Sequence, residues 1–132
     1  MLKHDSIMSL LNKTGLNFTD KGNYFSSQWK IHTSLEIKVI VAYDIHPDWV
    51  HILCNVGHLY DFNKSIDQIL LRLNNKIAGT KFSLDQSQII VCSSEVLHAS
   101  EDELKKRITQ VVKMVSLFYE VVETENLKLN SR

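Results

Sequence analysis

Apolar residues recur along this chain with two different periods, and the switches between them divide it into elements. Ile7, Leu10 and Leu11 fall at helical spacing, with Asp5 or Ser6 available as a cap and Gly15 as a stop. That predicts a short helix over 6–14. Asp20-Lys21-Gly22-Asn23 reads as a turn. The period then drops to two. Trp29, Ile31 and Thr33 alternate with Gln28, Lys30 and His32. Leu35, Ile37, Val39, Val41 and Tyr43 form a second run, and Val50, Ile52, Cys54 and Val56 form a third against Trp49, His51, Leu53 and Asn55. Short connections, one of them Asp44–Asp48 around the single proline, make these three strands an antiparallel meander.

Helical spacing returns at Ile66, Ile69, Leu70, Leu73 and Ile77, after a Ser65-x-x-Gln68 capping box and before Gly79, predicting a helix over 65–78. Lys81–Leu84 and Gln88–Ser93 read as a hairpin around Asp85-Gln86-Ser87. Ser100 and Glu103 open a last helix over 100–123, with three acids at its positive end. The order α-β-β-β-α-β-β-α is an α+β fold, an antiparallel sheet covered by helices. We expect one domain over 1–124 and a frayed polar tail over 125–132.

The last helix is more apolar than one sheet contact requires. At ~100° per residue, Leu104, Ile108, Val111, Val112, Val115, Phe118, Tyr119 and Val122 span roughly 120°. Met114 and Leu117, with Phe118 on the edge toward them, widen the apolar surface to roughly 220°. Either the rest of the chain covers this excess or a second copy does. A homodimer interface on Met114, Leu117 and Phe118 is the sharper expectation.

Composition narrows the classes of function. The chain has 132 residues, with 15 Lys+Arg against 15 Asp+Glu, 44% hydrophobic and 23% charged. This suits one soluble domain and excludes a disordered chain or a disulfide miniprotein. Equal charge disfavours nucleic acid and anionic membranes, both of which need a basic field. No secretory signal is evident at Met1–Asp5, and the apolar runs Val39–Tyr43 and Ile89–Cys92 are far too short to span a bilayer. The expectation is a cytoplasmic protein whose two thiols, Cys54 and Cys92, are reduced.

Candidate chemistry is sparse. His46, His51, Cys54 and His58 lie close in sequence, but strand alternation sends His51 and Cys54 to opposite faces, and no carboxylate completes a ligand set. We expect no metal, no cofactor and no catalytic residue. A small enzyme or metal-binding protein using the cluster at 46–58 stays open as an alternative. So does single-stranded RNA stacking on Tyr24, Phe25 and Trp29. On the second face of the sheet, Trp49, His51 and Leu53 are the candidates for contact with a partner protein.

One stretch carries a family resemblance. Leu73-Asn74-Asn75-Lys76-Ile77 leads into Lys81-Phe82-Ser83-Leu84-Asp85, then Ile89-Ile90-Val91-Cys92-Ser93 and a Ser-x-Asp-Glu-Leu helix start at Ser100–Leu104. This resembles the YbjN-type branch of the type III secretion chaperone-like superfamily, and the order of elements extends the likeness over about 6–122. The resemblance implies the same helix–three-strand–helix–two-strand–helix fold, a homodimer, and binding of segments of a partner protein rather than catalysis. The neutral balance sets this chain apart from the markedly acidic secretion-specific members.

Overall fold

The structure, a computed structural model, describes residues 3–31, 34–43 and 48–129. The chain runs α1 (Lys3–Thr14), β1 (Thr19–Asp20), β2 (Tyr24–Lys30), β3 (Glu36–Ala42), β4 (Trp49–His58), a single 3-10 turn (Leu59–Asp61), α2 (Ile66–Leu73), β5 (Thr80–Leu84), β6 (Ile89–Leu97) and α3 (Glu101–Thr124). The strands form one antiparallel sheet in the order β1-β2-β3-β4-β6-β5. The α+β architecture and the order of elements are those expected, with the two-residue β1 added at one edge. The Asp44–Asp48 turn and Thr33 fall wholly or partly outside the described residues.

Strand alternation sorts the side chains onto two faces. Phe25, Val41, Ile52 and Ser94 stand in register across β2, β3, β4 and β6, and Ile37, Val39, Val50, Cys54, Val56, Ile90, Cys92 and Val96 join them on the same buried face. α3 lies over this face, packed on β4, β5 and β6, with α1 and α2 also against it. Burying a face of β-branched and aromatic residues under one long amphipathic helix is the chief source of stability here.

The rest of the chain, including α1 and α2, accounts for the excess apolar width of α3. Met114 and Phe118 are both 0% exposed within the single chain. Phe118 is the hub of an aromatic cluster, with ring centroids 5.4 Å from Phe62, 5.5 Å from Phe82 and 5.2 Å from Tyr119. The expected interface on Met114 and Phe118 is therefore corrected: both lie in the chain's own core, where a second copy finds no surface. Leu117 is half-buried and packs against the same core.

Helix ends differ from the sequence reading for identifiable reasons. Ser100 caps α3, its Oγ accepting from the Glu103 N–H at 3.2 Å, but the Glu103 carboxylate accepts from Arg107 at 3.3 Å instead of completing the box. Ser65 does not cap α2. Its own N–H and hydroxyl donate to Asn63 Oδ1, at 3.0 and 3.1 Å. α2 stops at Leu73, short of the expected 78, where the chain tightens into turns, the Asn75 N–H donating to the Arg72 C=O and the Lys76 N–H to the Leu73 C=O, while the Asn74 side chain bonds to the sheet. α1 starts at Lys3, ahead of the expected 6.

The frayed tail is also corrected over 125–129. Leu127 is buried, its C=O accepts from the Asn63 N–H at 2.6 Å, the Leu129 N–H donates to the Asp61 C=O at 2.9 Å, and Lys128 forms a bridge with Phe62. The aromatic hub predicts that Phe118→Ala lowers the free energy of unfolding by about 3–5 kcal/mol. The check is a urea transition with an unchanged slope and a lower midpoint.

Candidate functional site

The face of the sheet opposite α3 carries the residues expected to meet a partner. Cross-strand register sets Ile40 beside Leu53 and Leu53 beside Ser93, Ala42 beside His51 and His51 beside Glu95, and Trp49 beside Leu97. Trp49 is 37% exposed and Leu97 47%, while Ile40, His51 and Leu53 are half-buried among their neighbours. The structure thus brings Trp49, His51 and Leu53 onto one face of the sheet, partly exposed, with Leu97 as an addition the sequence reading missed. Leu97 could have been found by extending the alternation of Ile89–Ser93 through Val96, which places Leu97 opposite the core.

The two edges of this sheet are unequal. At the β5 edge, Asn74 reaches from the end of α2 to the middle of the strand. Its Oδ1 accepts from the Phe82 N–H at 2.6 Å and its Nδ2 donates to the Phe82 C=O at 3.2 Å. One side-chain amide therefore satisfies both outward main-chain groups of Phe82, as a neighbouring strand would. The Thr80 N–H donates to the Ile77 C=O at 3.3 Å. This is the structural meaning of the Asn-containing turn followed by Lys-Phe.

At the opposite edge, β1 covers only the start of β2. Thr19 pairs with Ser26 and Asp20 with Phe25, and the Lys21 N–H donates to the Tyr24 C=O at 2.9 Å. Alternation then directs the main-chain groups of Gln28 and Lys30 outward, beyond the reach of β1. Among the described residues no strand pairs with that stretch. A shallow cleft of about 350 Å³ runs beside it, lined by Thr19, Lys21, Ser26, Gln28 and Lys38 among others, two lysines and no acid.

The histidine–cysteine cluster does not assemble. Cys54 and Cys92 face each other in register on the buried side, both 0% exposed, whereas His51 is on the open face. His58 ends β4 and caps the 3-10 turn, its Nδ1 accepting from the Tyr60 N–H at 3.2 Å. His46 lies outside the described residues. Among the described residues no three His, Cys, Asp or Glu side chains converge as metal ligands. Burial pushes the Cys54 thiol up to about 12, and raises Cys92 further, with the neighbouring Cys54 adding to it. Neither thiol is a nucleophile in this state. The aromatics proposed for base stacking are split, Phe25 and Trp29 under the helices and Tyr24 on the other face.

No protein-family model and no curated protein matches the sequence. Solved structures do. The chain superposes on one from the HopA1–SchA chaperone–effector complex with a TM-score of 0.64 at 15% identity, over 89% of this chain and 95% of that one. It matches YbjN from E. coli with a TM-score of 0.65 at 12% identity, over 96% and 95%. The fold is that of YbjN and the secretion chaperones. A third match is the Yersinia pestis type III secretion chaperone SycH, solved with a stable fragment of YscM2, with a TM-score of 0.62 at 16% identity over 88% and 99%. No helix among the described residues of this chaperone-like fold is long and apolar enough to cross a membrane.

The Asn74 clamp makes a direct prediction. Asn74→Ala leaves two main-chain groups of Phe82 without their partner and lowers stability by about 1–3 kcal/mol. Hydrogen exchange at the Phe82 amide, accelerated in the variant relative to amides of β4, checks that the loss is local to this edge.

Proposed function

We propose that this chain is a non-enzymatic, chaperone-like module that holds an extended segment of a partner protein against its sheet. The observation that carries the reading is the open outer edge of β2. Main-chain groups at Gln28 and Lys30 are presented to an incoming strand while the other edge is closed by Asn74. Lys21 and Lys38 in the adjoining cleft favour a segment that carries acidic side chains. Two strand spacings away, roughly 10 Å, Leu53 supplies an apolar anchor for the segment as it continues, with His51 and Trp49 beyond it. The partner complexes formed by chains of the same fold support the reading.

Peptides of about ten residues, at roughly 3.4 Å each, are long enough to follow β2 and turn across the face. A panel alternating apolar and acidic residues is titrated by fluorescence anisotropy. Binding is expected for a subset. N-methylation of alternate peptide nitrogens should weaken it about tenfold, the worth of one or two main-chain hydrogen bonds. Leu53→Glu should weaken it by a similar factor. Equal affinity of the methylated and unmethylated peptides rejects pairing at the edge, and indifference to Leu53→Glu rejects the face.

The reading includes a homodimer in the cytoplasm. With Met114 and Phe118 internal, we assign the contact with a second copy to Leu71 of α2, 69% exposed. Sedimentation is expected to give a dimer that Leu71→Glu shifts toward monomer. A monomeric parent protein ends the dimer proposal and leaves the binding proposal standing.

A further inference from the structure

The short strand β1, paired to β2 through its main chain, is also met by one histidine side chain. His4, on the first turn of α1, points its ring at Asp20 of β1, with Nε2 at 2.9 and 3.0 Å from the two carboxylate oxygens. Its other nitrogen, Nδ1, lies 3.3 Å from Asp5 Oδ1. A ring whose two nitrogens both face carboxylates donates from both only as the imidazolium. The ring is stacked on Phe25 at 5.0 Å between centroids and meets the edge of Tyr43 at 5.8 Å, which fixes its orientation. The titratable and charged groups facing it are thus Asp5 from α1, Asp20 from β1 and the Tyr43 phenol at the end of β3, with Phe25 of β2 contributing an uncharged ring. Tyr43 and Asp20 both hold the same turn, the first through its hydroxyl donating to the Gly22 C=O at 2.9 Å, the second through Oδ1 accepting from the Gly22 N–H at 2.8 Å.

We propose that His4 is a protonation-dependent latch that keeps β1 on the edge of β2, so that loss of its charge loosens β1 and lengthens the open edge of the sheet. With β1 seated, the outward main-chain groups left over are those of Gln28 and Lys30. With β1 released, those of Tyr24 and Ser26 join them, and the edge available to an incoming strand doubles in length. The latch itself stands on the geometry around His4. Its effect on docking rests on the reading of the β2 edge given above.

The sign of the pH dependence follows from both partners. The hydrogen bond with Asp20, and then that with Asp5, raises the His4 pKa above the usual histidine value. The contact is fully present below that usual value and is lost as the pH rises through the raised one. The hydrogen bond with His4, then that from Gly22, lowers the Asp20 pKa. Its contribution is present above the usual aspartate value and is lost as the pH falls through the lowered one. The latch is closed between these two limits and opens on the alkaline side.

The test uses the full chain without any partner, so a failed latch and a failed docking reading are separate results. NMR titration of the imidazole signals is expected to place His4 above the usual histidine value in the wild type and to bring it down in Asp20→Asn. Hydrogen exchange of the Lys21 amide, corrected for intrinsic base catalysis, is the structural readout. Between a pH inside the closed window, above the Asp20 limit and below the His4 limit, and alkaline conditions its protection should fall roughly threefold, the scale of one exposed charged contact. In His4→Gln the protection should already be low and independent of pH. A His4 that titrates alike in the wild type and in Asp20→Asn overturns the proposal. So does a Lys21 amide whose protection is the same in His4→Gln as in the wild type throughout.

Discussion

Everything in this molecule is arranged around the burial of α3 against the sheet. A helix of 24 residues carries more apolar surface than one contact can use, and the chain answers by setting α1 and α2 against it. Phe118 stands where the three layers of aromatic packing meet, touching Phe62 from the segment after β4, Phe82 from β5 and Tyr119 from its own helix. Since all the helices serve this one face, the opposite face and the two edges of the sheet are left for other uses. The asymmetry from which function is argued is thus a consequence of where the hydrophobic surface went.

Polar groups settle the details that hydrophobic burial leaves undetermined. The register of β4 against β6 slips between Asn55 and Gly57, and the Tyr119 hydroxyl donates to the Val56 C=O at 2.5 Å at that point. Gly57 has a φ of +151°, and a Cβ there would sit 3.3 Å from the Phe62 ring, so both conformation and space call for glycine. Gly79 combines a φ of +81° with an Arg107 guanidinium lying across it, and Arg107 reaches on to Ser94 at 3.4 Å. These contacts tie α3 to the α2–β5 connection and hold Asn74 within reach of its strand.

Period and capping carried much of the architecture in advance. The alternation of Val50, Ile52, Cys54 and Val56 placed Cys54 in the core, and the same alternation put Trp49, His51 and Leu53 together on the other face. Ser100 was legible as a cap. What failed did so where one tertiary contact outweighed a local signal. Ser65 had the spacing of a cap, but Asn63 took that place. Ile77 kept helical spacing, yet the helix ended four residues earlier, where the chain turns and the Asn74 side chain bonds to Phe82. The width of α3 was read correctly, and its cause was not, since a helix wheel measures how much surface must be covered and says nothing of which neighbours cover it. The β1 strand, two residues long, has no period to detect. The latch at His4 joins positions 16 residues apart and exists only in three dimensions.

The closed edge at Asn74 bears on how many molecules one such sheet can engage. A sheet with two free edges can add strands at both ends, and copies joined that way propagate without limit into a filament. Here one end is stoppered by an amide from the same chain. Strand addition, where it occurs, would therefore be confined to the far side. On the docking proposed above, a single asparagine would limit edge pairing to one strand per subunit.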